Sequence, residues 1–380
     1  MDIKELREHI DKIDEQIVEL FCARMGVSLG VAEYKRERNM AVYDPARERA
    51  LFARIGQMAG EEMSEYAVTL YKTVTELSRT YQHHILDPDP EIKAEIERRL
   101  ESSPRMLPKF ARVACQGVEG AYSQIAAVRM FDCPSISYYG DFADIFRAVE
   151  SGECDYGVLP IENSTAGSVN RVYDLLRKSN ACIVKSVRIK IDHNLLAKAG
   201  TKKESIREIF SHEQAISQCD AYLKKLPDVK VTVAPNTAMA AKAVAESERG
   251  DVAALSSYSC AELYGLGVVE SAVQDMQNNY TRFILISREP QILPGADRTS
   301  IILKTPHTPG ALYSTLARIN AHGVNLIKLE SRPIPERNFE FMFYFDIEAS
   351  IYSPELAELL AELCANSEDF KYLGSYSELV

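Results

Sequence analysis

Hydrophobic residues recur at spacings of three and four through most of the first 85 positions, which is the period of amphipathic helices. Within residues 2–36 they form heptads made of Ile3, Leu6, Ile10, Ile13, Ile17, Leu20, Val27, Val31 and Tyr34. We predict one long helix there, a turn over 39–45, and two further helices over about 45–56 and 64–84. Helices of this length bury little apolar surface in a single copy, so we expect two copies to associate.

Beyond residue 111 the pattern changes to short apolar runs that alternate with helical stretches. The runs lie at 112–115, 157–161, 183–187, 229–234 and 252–255. This alternation predicts an α/β domain with a largely parallel sheet over residues 111–290. Residues 297–375 read strand, helix, strand, strand, helix, strand, which is a ferredoxin-like α+β order, and residues 339–347 alternate apolar and other side chains.

The segment between these two regions, residues 87–110, is rich in charges and prolines. Asp87-Pro88-Asp89-Pro90 ends the third predicted helix, because proline cannot continue a helix and restricts the residue before it. We therefore interpret residues 1–86 as one helical domain and residues 87–110 as a linker. A chain of 380 residues is too long for a single hydrophobic core, so a multidomain protein agrees with its length.

The composition excludes several classes of protein. Hydrophobic residues make up 46% and charged residues 26% of the chain, as in ordinary globular proteins. The net charge of -11 argues against nucleic acid or an anionic membrane as the main partner, because both attract basic surfaces. No apolar run approaches a membrane span and the first residues lack a signal-peptide pattern, so we expect a cytoplasmic protein. The cysteines are scattered without metal-binding spacing, and we expect no metal.

Three cations lie on or beside the apolar face of the first helix. Arg24 falls on a heptad position where an apolar residue is expected, and a cation there needs an anionic partner. Arg7 and Lys35 share a face but lie roughly 40 Å apart along the helix. One small ligand meets both only if an antiparallel second copy brings its Arg7 to the Arg24 and Lys35 of the first. The pattern is equally compatible with a solvated Arg7 and Lys35 and a salt-bridged Arg24.

Residues 5–85 resemble the all-helical chorismate mutase family. The matching residues are Leu6-Arg7, Arg24, Lys35, Asp44, Arg47-Glu48, Ser78 and Gln82. The resemblance implies that Arg24, Lys35 and Arg7 of the second copy hold the two carboxylates of chorismate, with Asp44, Arg47 and Ser78 completing the pocket. It implies that Glu48 binds the substrate hydroxyl, while Lys35 and Gln82 donate hydrogen bonds to the ether oxygen. This pericyclic reaction needs no nucleophile and no cofactor, only positioning and charge stabilisation.

Four polar segments of the α/β domain fall where a predicted strand gives way to a helix, a common place for ligand sites. They are Gly117–Ser123, Leu159–Gly167, Ser211–Ala215 and Asn236–Ala238. We predict that they border one cleft. The glycine spacing of the first segment is not GxGxxG, which argues against a dinucleotide fold. His212 is a candidate general base, although a histidine at such a junction is more often structural, and residues 163–165 could equally be helix caps.

This ordered set resembles the prephenate dehydratase family over about residues 111–289, above all in Thr281-Arg282-Phe283. The resemblance implies two α/β lobes, similar to periplasmic binding proteins, with chain crossings near Asp192 and Asn278 and prephenate between the lobes. It implies that Thr281 assists departure of the ring hydroxyl as water while CO2 is lost. The other residues implied to contact prephenate are Asn163, Ser164, Thr165, Ser211, Gln214, Thr237, Arg282 and Phe283.

The C-terminal region resembles the ACT regulatory domains that bind phenylalanine, through Gly310-Ala311-Leu312 and Glu330-Ser331-Arg332-Pro333. Such domains pair side by side and bind the amino acid at their interface. Together the resemblances imply a bifunctional, cofactor-free enzyme of phenylalanine biosynthesis that is inhibited by phenylalanine and forms at least a dimer. Two alternatives stay open, namely arogenate as the second substrate and a ligand-sensing regulator without activity.

Overall fold

The computed structural model describes residues 2–380 except 39, 41–43, 87–89, 227, 309 and 335–339. Most of the predicted turn over 39–45, the Asp87-Pro88-Asp89 helix end and the start of the alternating segment at Phe339 lie outside the described residues. The chain forms two compact units, Met1–Arg98 with Ile301–Lys371 and Arg99–Ser300 with Tyr372–Val380. Within the described ranges, each helix is too short or too polar to cross a membrane.

The first helix, α1 (Ile3–Glu37), confirms the long rod predicted from the heptads. A capping box fixes its start, since Asp2 accepts hydrogen bonds from the amides of Lys4 at 2.8 Å and Glu5 at 2.9 Å. Its heptad side chains remain largely uncovered in the single chain, with exposed fractions of 54% for Ile13 and 71% for Val27. An apolar stripe of this length is what a second copy would cover.

The helices predicted over 45–56 and 64–84 are confirmed: they run end to end as α2 (Pro45–Leu86), which a kink at Gly60 divides in two. Gly60 has φ 75° and ψ 167°, a conformation that glycine adopts at little cost because it has no Cβ. No proline lies between positions 46 and 87, so nothing prevents the chain from resuming helical geometry after the kink.

The predicted linker contains a 13-residue helix, α3 (Pro90–Ser102). Its charges come from glutamate, lysine and arginine, which are strong helix formers. Glu95 and Arg98 pair at 2.8 Å on its surface, one turn apart. Charge density alone did not distinguish a solvated helix from an extended linker.

The rest of the chain alternates strands and helices as predicted. The strands are β1 (Phe110–Gln116), β2 (Cys133–Tyr139), β3 (Tyr156–Asn163), β4 (Gly167–Ser168), β5 (Cys182–Lys190), β6 (Asn194–Ala197), β7 (Glu208–Ser211), β8 (Lys230–Val233), β9 (Val252–Ser256), β10 (Gly267–Glu270), β11 (Tyr280–Ser287), β12 (Arg298–Lys304), β13 (Asn325–Pro333), β14 (Phe341–Glu348), β15 (Asp369–Tyr376) and β16 (Glu378–Leu379). The helices are α4 (Tyr122–Met130), α5 (Phe142–Glu150), α6 (Asn170–Lys178), α7 (Glu213–Gln218), α8 (Asp220–Leu223), α9 (Thr237–Glu246), α10 (Tyr258–Tyr264), α11 (Ala311–Ala321) and α12 (Pro354–Ala365).

The second unit has two α/β lobes. In the first lobe the strand order is β16-β5-β11-β3-β1-β2, with β4 beside β3. The prediction of a largely parallel sheet is wrong, because β11 runs antiparallel to both β3 and β5 while β1 is parallel to β2 and β3. The reason is topological. β11 returns from the second lobe and enters the sheet in the reverse direction, which the apolar pattern does not reveal.

The second lobe has the strand order β10-β6-β9-β7-β8 and is also mixed. β7 is parallel to β8 and β9, whereas β6 is antiparallel to β9 and β10. The chain crosses into this lobe between β5 and β6 and returns between β10 and β11. These crossings include Asp192 and Asn278, as expected, so the two-lobed fold is confirmed.

The C-terminal region, from β12 to β15, has the predicted strand, helix, strand, strand, helix, strand order. Its sheet has the order β13-β14-β12-β15, which leaves β13 at one edge. Within the first unit, α11 and α12 pack against α2. We refer to residues 301–371, the part of this region that belongs to the first unit, as the C-terminal module.

Candidate active sites

A cavity of about 500 Å³ lies between α1 and α2. It is lined by Arg24, Ser28, Val31, Lys35, Asp44, Arg47, Glu48, Ala50, Leu51, Arg54, Thr75, Ser78, Arg79 and Gln82. On α1 the lining positions are spaced by four, three and four residues, which places them on one face of the helix. All the pocket residues named from the sequence line this cavity except Arg7, which lies exposed near the start of α1. The single chain does not bring Arg7 to the others.

Nη1 of Arg24 and Oε1 of Gln82 are buried in this pocket without a hydrogen-bond partner among the described residues. Gln82 donates from Nε2 to Ser78 Oγ at 3.3 Å, and Ser78 Oγ lies 2.7 Å from Ser28 Oγ. A buried donor without an acceptor costs free energy, and more so when it is charged. An anionic ligand would satisfy Arg24, and the second amide hydrogen of Gln82 remains for an oxygen of the same ligand.

Lys35 lies among charged neighbours at the mouth of this pocket. Burial lowers the pKa of Lys35 below its ordinary value, against the raising effect of the Asp44 and Glu48 carboxylates, while Arg47 lowers it further. Asp44 also accepts the amide of Arg47 at 3.0 Å and so anchors the first turn of α2. The pocket therefore concentrates positive charge but holds carboxylates beside it.

Arg79 was missed by the sequence analysis. Its guanidinium forms ion pairs with Glu48 on the pocket wall and with Glu76 on its own helix. Burial acts to lower the pKa of Arg79, but the Glu76 and Glu48 carboxylates outweigh it and raise the pKa above its ordinary value. The three-residue spacing of Glu76 and Arg79 on a helix was a signal for this pair, whereas the contact with Glu48 was not visible in the sequence.

A second cavity of about 530 Å³ lies between the two α/β lobes. Its lining includes Gln116, Gly117, Tyr122, Ser123, Asn163, Ala166, Ile191, His193, His212, Gln214, Gln218, Asn236, Thr237, Thr281 and Phe283. All four polar segments predicted to border one cleft contribute to it, so that prediction is confirmed. Of the expected prephenate contacts, the cleft brings together Asn163, Gln214, Thr237, Thr281 and Phe283.

Thr281 is 9% exposed, and its Oγ1 accepts a hydrogen bond from Asn163 Nδ2 at 2.9 Å. The same Nδ2 donates to Asn279 Oδ1 at 2.8 Å, and Asn163 Oδ1 accepts from Thr165 Oγ1 at 2.7 Å. Gln218 extends this network by donating to Thr165 Oγ1 at 2.9 Å. Because Asn163 occupies a lone pair of the Thr281 oxygen, the hydroxyl hydrogen can be directed at a ligand in the cleft.

Arg282, Ser164 and Ser211 are not part of this cleft, contrary to expectation. Arg282 is 5% exposed and its Nε lies 2.6 Å from Oε1 of Glu162, because alternate residues of β11 face opposite sides of the sheet. Ser211 is fully buried and donates to the carbonyl of Leu255 at 2.8 Å. Ser164 donates to the Asn278 carbonyl at 3.1 Å on the surface. Thr165 lines a neighbouring cavity.

Two histidines face the cleft. His212 caps α7, with its Nδ1 accepting from the amide of Gln214 at 3.3 Å, which favours the structural interpretation. His193 was missed by the sequence analysis, although it follows directly on the predicted crossing at Asp192. The Nε2 atom of His193 lies 2.9 Å from Oε1 of Gln218. Burial lowers the pKa of His193, against the raising effects of Gln218 and Asp192, which favours the neutral imidazole.

A third cavity, of about 360 Å³, lies in the C-terminal module. It is lined by Thr305, Pro306, His307, Thr308, Ala311, Leu312, Glu340, Phe341 and Phe343. Gly310, with φ 87°, caps α11 and presents Ala311 and Leu312 to the cavity. The second expected motif, Glu330–Pro333, does not line it. That motif lies on the edge strand β13, where Ser331 and Pro333 are exposed and pair in register with Phe343 and Phe341.

A helical pocket lined with cations and a polar cleft between two α/β lobes are two candidate active sites of an enzyme. Residues 6–83 match the chorismate mutase type II family and residues 113–291 match the prephenate dehydratase family. The bifunctional chorismate mutase/prephenate dehydratase of Escherichia coli (strain K12) is 33% identical, over 98% of this chain and 95% of that protein. The chain belongs to the bifunctional chorismate mutase/prephenate dehydratases.

Two further relatives match a shorter part of the chain. The chloroplastic arogenate dehydratase/prephenate dehydratase 2 of Arabidopsis thaliana is 37% identical and covers 80% of this chain and 87% of that protein. The crystal structure of prephenate dehydratase in complex with L-Phe from Arthrobacter aurescens is 28% identical, with a TM-score of 0.64, over 70% of this chain and 90% of that chain. Family membership makes the chain an enzyme that converts chorismate to prephenate and prephenate to phenylpyruvate, rather than a regulator without activity.

Proposed function

We propose that the mutase reaction takes place in the α1–α2 pocket and the dehydratase reaction in the cleft between the lobes. The observation that supports the first assignment best is the buried Nη1 of Arg24, a charged donor without a hydrogen-bond partner among the described residues that suits an anionic ligand. The test is to supply chorismate and identify each product by mass. Arg24→Gln should leave chorismate unconverted, whereas Thr281→Val should accumulate prephenate. Phenylpyruvate formed at the normal rate by either variant would refute the corresponding assignment.

In the mutase pocket, Arg24, Lys35 and Arg7 of a second copy hold the two carboxylates, which restrains chorismate in a reactive conformer. Lys35 and the second amide hydrogen of Gln82 donate to the ether oxygen as its bond to carbon breaks and charge builds on it. Glu48 accepts a hydrogen bond from the substrate hydroxyl. Asp44, Arg47 and Ser78 hold these groups in place. No proton is transferred in this reaction, so the pocket acts by positioning the substrate and stabilising charge.

In the dehydratase cleft, the bond between the ring and its carboxylate breaks, and its electron pair enters the ring as CO2 leaves. The ring hydroxyl departs with a proton from Thr281 and becomes water, and Thr281 regains a proton from solvent. Threonine is a weak acid, so its oxygen needs support as it gives up the proton. The amide of Asn163, which donates to Thr281 Oγ1 at 2.9 Å, supplies that support. Gln214, Thr237 and Phe283 position the substrate.

The C-terminal region is proposed to be an ACT domain that binds phenylalanine and inhibits the enzyme. Three features support this role, namely the strand and helix order, the cavity beside Ala311 and Leu312, and the edge position of β13 next to it. An edge strand has unpaired backbone groups that can join a second sheet. The similar Arthrobacter structure holds L-Phe. Glu330–Pro333 would then meet the ligand from a neighbouring copy.

The active form is proposed to be at least a dimer built through α1. The exposed heptad stripe of α1 and the distance of Arg7 from the pocket both support an antiparallel second copy. Light scattering should report a mass of at least twice 42.6 kDa. A monomer with full mutase activity would refute the proposal.

Arogenate is the alternative second substrate, favoured by the identity to the Arabidopsis enzyme. The bifunctional relative from Escherichia coli matches over nearly the whole chain, mutase region included, and this favours prephenate, the product of that region. Turnover rates with the two substrates at equal concentration decide between them.

A further inference from the structure

Within the first unit, a network of ion pairs connects the α1–α2 pocket with the C-terminal module. Arg79 pairs with Glu48 at the pocket and with Glu76 one turn away on α2. Oε1 of Glu76 lies 2.9 Å from Nη2 of Arg318, and its Oε2 accepts a hydrogen bond from Ser314 Oγ at 2.7 Å. Arg318 and Ser314 belong to α11. One carboxylate on α2 is therefore shared between the pocket and a helix of the module.

The network is buried at its centre. Glu76 is 4% exposed and Arg318 8%. Arg318 also pairs through Nε with Glu362 of α12 at 3.1 Å, so it holds α11, α12 and α2 together. Removing one member of a buried ion pair leaves an uncompensated charge, which is strongly unfavourable. The remaining partners then rearrange to meet that charge.

Arg79 is the member that such a rearrangement would move. Its two terminal nitrogens point to different carboxylates, Nη1 to Glu48 and Nη2 to Glu76. A guanidinium holds two acceptors in a fixed fork, so a shift toward Glu76 loosens its hold on Glu48. Arg318 neutralises Glu76 from the side opposite Arg79. Arg79 can therefore stay between the carboxylates of Glu48 and Glu76.

We propose that Arg79 is a positioning residue of the mutase pocket, holding Glu48 in place and conveying the packing of α11 to it through Glu76 and Arg318. The inference rests on the proposed assignment of Glu48 to the substrate hydroxyl. It makes mutase activity depend on a module that is more than 200 residues distant in sequence. By linkage, chorismate binding stabilises the contact between α2 and α11.

The experiment uses the full-length chain and measures kcat and KM separately for chorismate and for added prephenate. Arg318→Gln should lower mutase kcat/KM by roughly 5- to 50-fold, within the usual range of coupling between sites, and leave dehydratase kcat/KM within about twofold. In an Arg79→Gln background, Arg318→Gln should cause no further loss, because the residue through which it acts is gone. A role in general stability would instead give independent, multiplicative losses.

The matched control is Lys304→Gln. Lys304 is another buried cation of the C-terminal module, and it pairs with Glu340 at 2.7 Å and Glu368 at 2.5 Å, neither of which lies on α2. This variant should leave mutase kcat/KM unchanged. If Arg79→Gln fails to fold, Arg79→Lys takes its place, because lysine keeps the charge but cannot bridge two carboxylates. It should reduce mutase kcat/KM and abolish the effect of Arg318→Gln.

Glu48→Gln separates the failure of this inference from the failure of the pocket assignment. Unchanged mutase activity in Glu48→Gln would overturn the assignment of Glu48. A loss in Glu48→Gln combined with unchanged activity in Arg79→Gln and Arg318→Gln would overturn the positioning role alone. Equal losses of mutase activity in Lys304→Gln and Arg318→Gln would also overturn the positioning role of Arg79.

Discussion

Asn163 on β3 and Thr281 on β11 face each other in register across an antiparallel strand pair, and the Asn163 amide donates to the Thr281 hydroxyl at 2.9 Å. The two residues lie 118 positions apart in sequence, and the return of β11 from the second lobe brings them together. The strand pairing thus places a supported hydroxyl in the cleft, on a rigid element rather than a loop.

Thr281→Val should lower dehydratase kcat by roughly 10²- to 10⁴-fold while KM for prephenate changes little, because the lost hydrogen bond acts in the transition state. Steady-state kinetics with prephenate measure both constants. Thr299→Val is the control, since Thr299 is a fully buried threonine of the same unit whose hydroxyl lies 2.6 Å from Ser375 Oγ. A wild-type rate in Thr281→Val would assign Thr281 a structural role.

Arg24→Gln should reduce mutase kcat/KM by at least about 10²-fold and leave prephenate dehydration within about twofold, because a charged hydrogen bond to a substrate carboxylate is lost. The two reactions are assayed separately on one preparation. Arg38→Gln is the control, since Arg38 follows α1 near the surface and pairs with its neighbour Glu37. Parallel loss of both activities in a folded Arg24→Gln protein contradicts the assignment of separate sites.

Arg282→Gln should lower the free energy of unfolding by about 1–3 kcal/mol and leave KM for prephenate nearly unchanged, because Arg282 pairs with the partly exposed Glu162 on the face of the sheet away from the cleft. Denaturant unfolding and kinetics test the two statements. Glu162→Gln in the same chain should recover part of the loss, since it removes the carboxylate that Arg282 neutralises in the wild type. A large rise in KM would return Arg282 to the substrate site.

The stability of the second lobe should fall in acid through Glu208. Hydrogen bonds from Lys230 Nζ, Thr232 Oγ1 and Arg249 Nη1 lower the pKa of Glu208 to about 2. Because the pKa of Glu208 in the folded protein is below its ordinary value of 4.5, the ionised carboxylate stabilises the fold. This stabilisation is present above about pH 4.5 and is lost as the pH falls toward 2. Lys230 and Arg249 are largely exposed, so screening by solvent limits the stabilisation by Glu208 to about 1 kcal/mol.

Unfolding of wild type and Glu208→Gln as a function of pH tests this claim. The two proteins should differ at pH 7 and converge near pH 2, whereas Glu204→Gln, at an exposed position nearby, should match wild type throughout. A difference that does not change with pH would mean that packing, and not charge, is responsible.

Leu312→Ala should weaken phenylalanine inhibition by roughly 10-fold, since burying a leucine side chain against a ligand contributes about 1.5–3 kcal/mol. Inhibition curves for both activities measure the effect. Tyr352→Ala, at an exposed position of the same module, is the control. Undiminished inhibition in Leu312→Ala would place the effector outside this cavity.

Periodicity and resemblance predicted the elements well, because amphipathic patterns depend on local sequence. They gave the rod α1, the alternation of strands and helices, and the C-terminal strand order. They did not reveal strand direction, since an apolar run such as β11 reads the same in either direction. The two helices predicted over 45–56 and 64–84 are confirmed, and the kink between them falls at Gly60.

Thr281 and Asn163 line the cleft as the motifs led us to expect, and their roles in the reaction stay a prediction. Arg282 was misassigned because it is adjacent to Thr281 in the motif but opposite to it on the strand. Arg79 and His193 were missed, since their roles depend on contacts with residues distant in sequence. The packing of α11 against α2 likewise joins elements that are more than 200 residues apart in sequence.

The strand β16 gives the C-terminal module an unusual topological position. Glu378 and Leu379 pair with Ser186 and Val187 of β5, and Gly374 approaches the backbone of Ile183 so closely that a Cβ there would clash. The module is therefore an insertion between two segments that belong to the dehydratase unit, and it is tethered at both ends. During synthesis the outermost strand of the dehydratase sheet emerges only after the whole module, so that sheet is completed last. A truncation that removes the C-terminal module and everything after it would therefore also remove β16 from the dehydratase sheet.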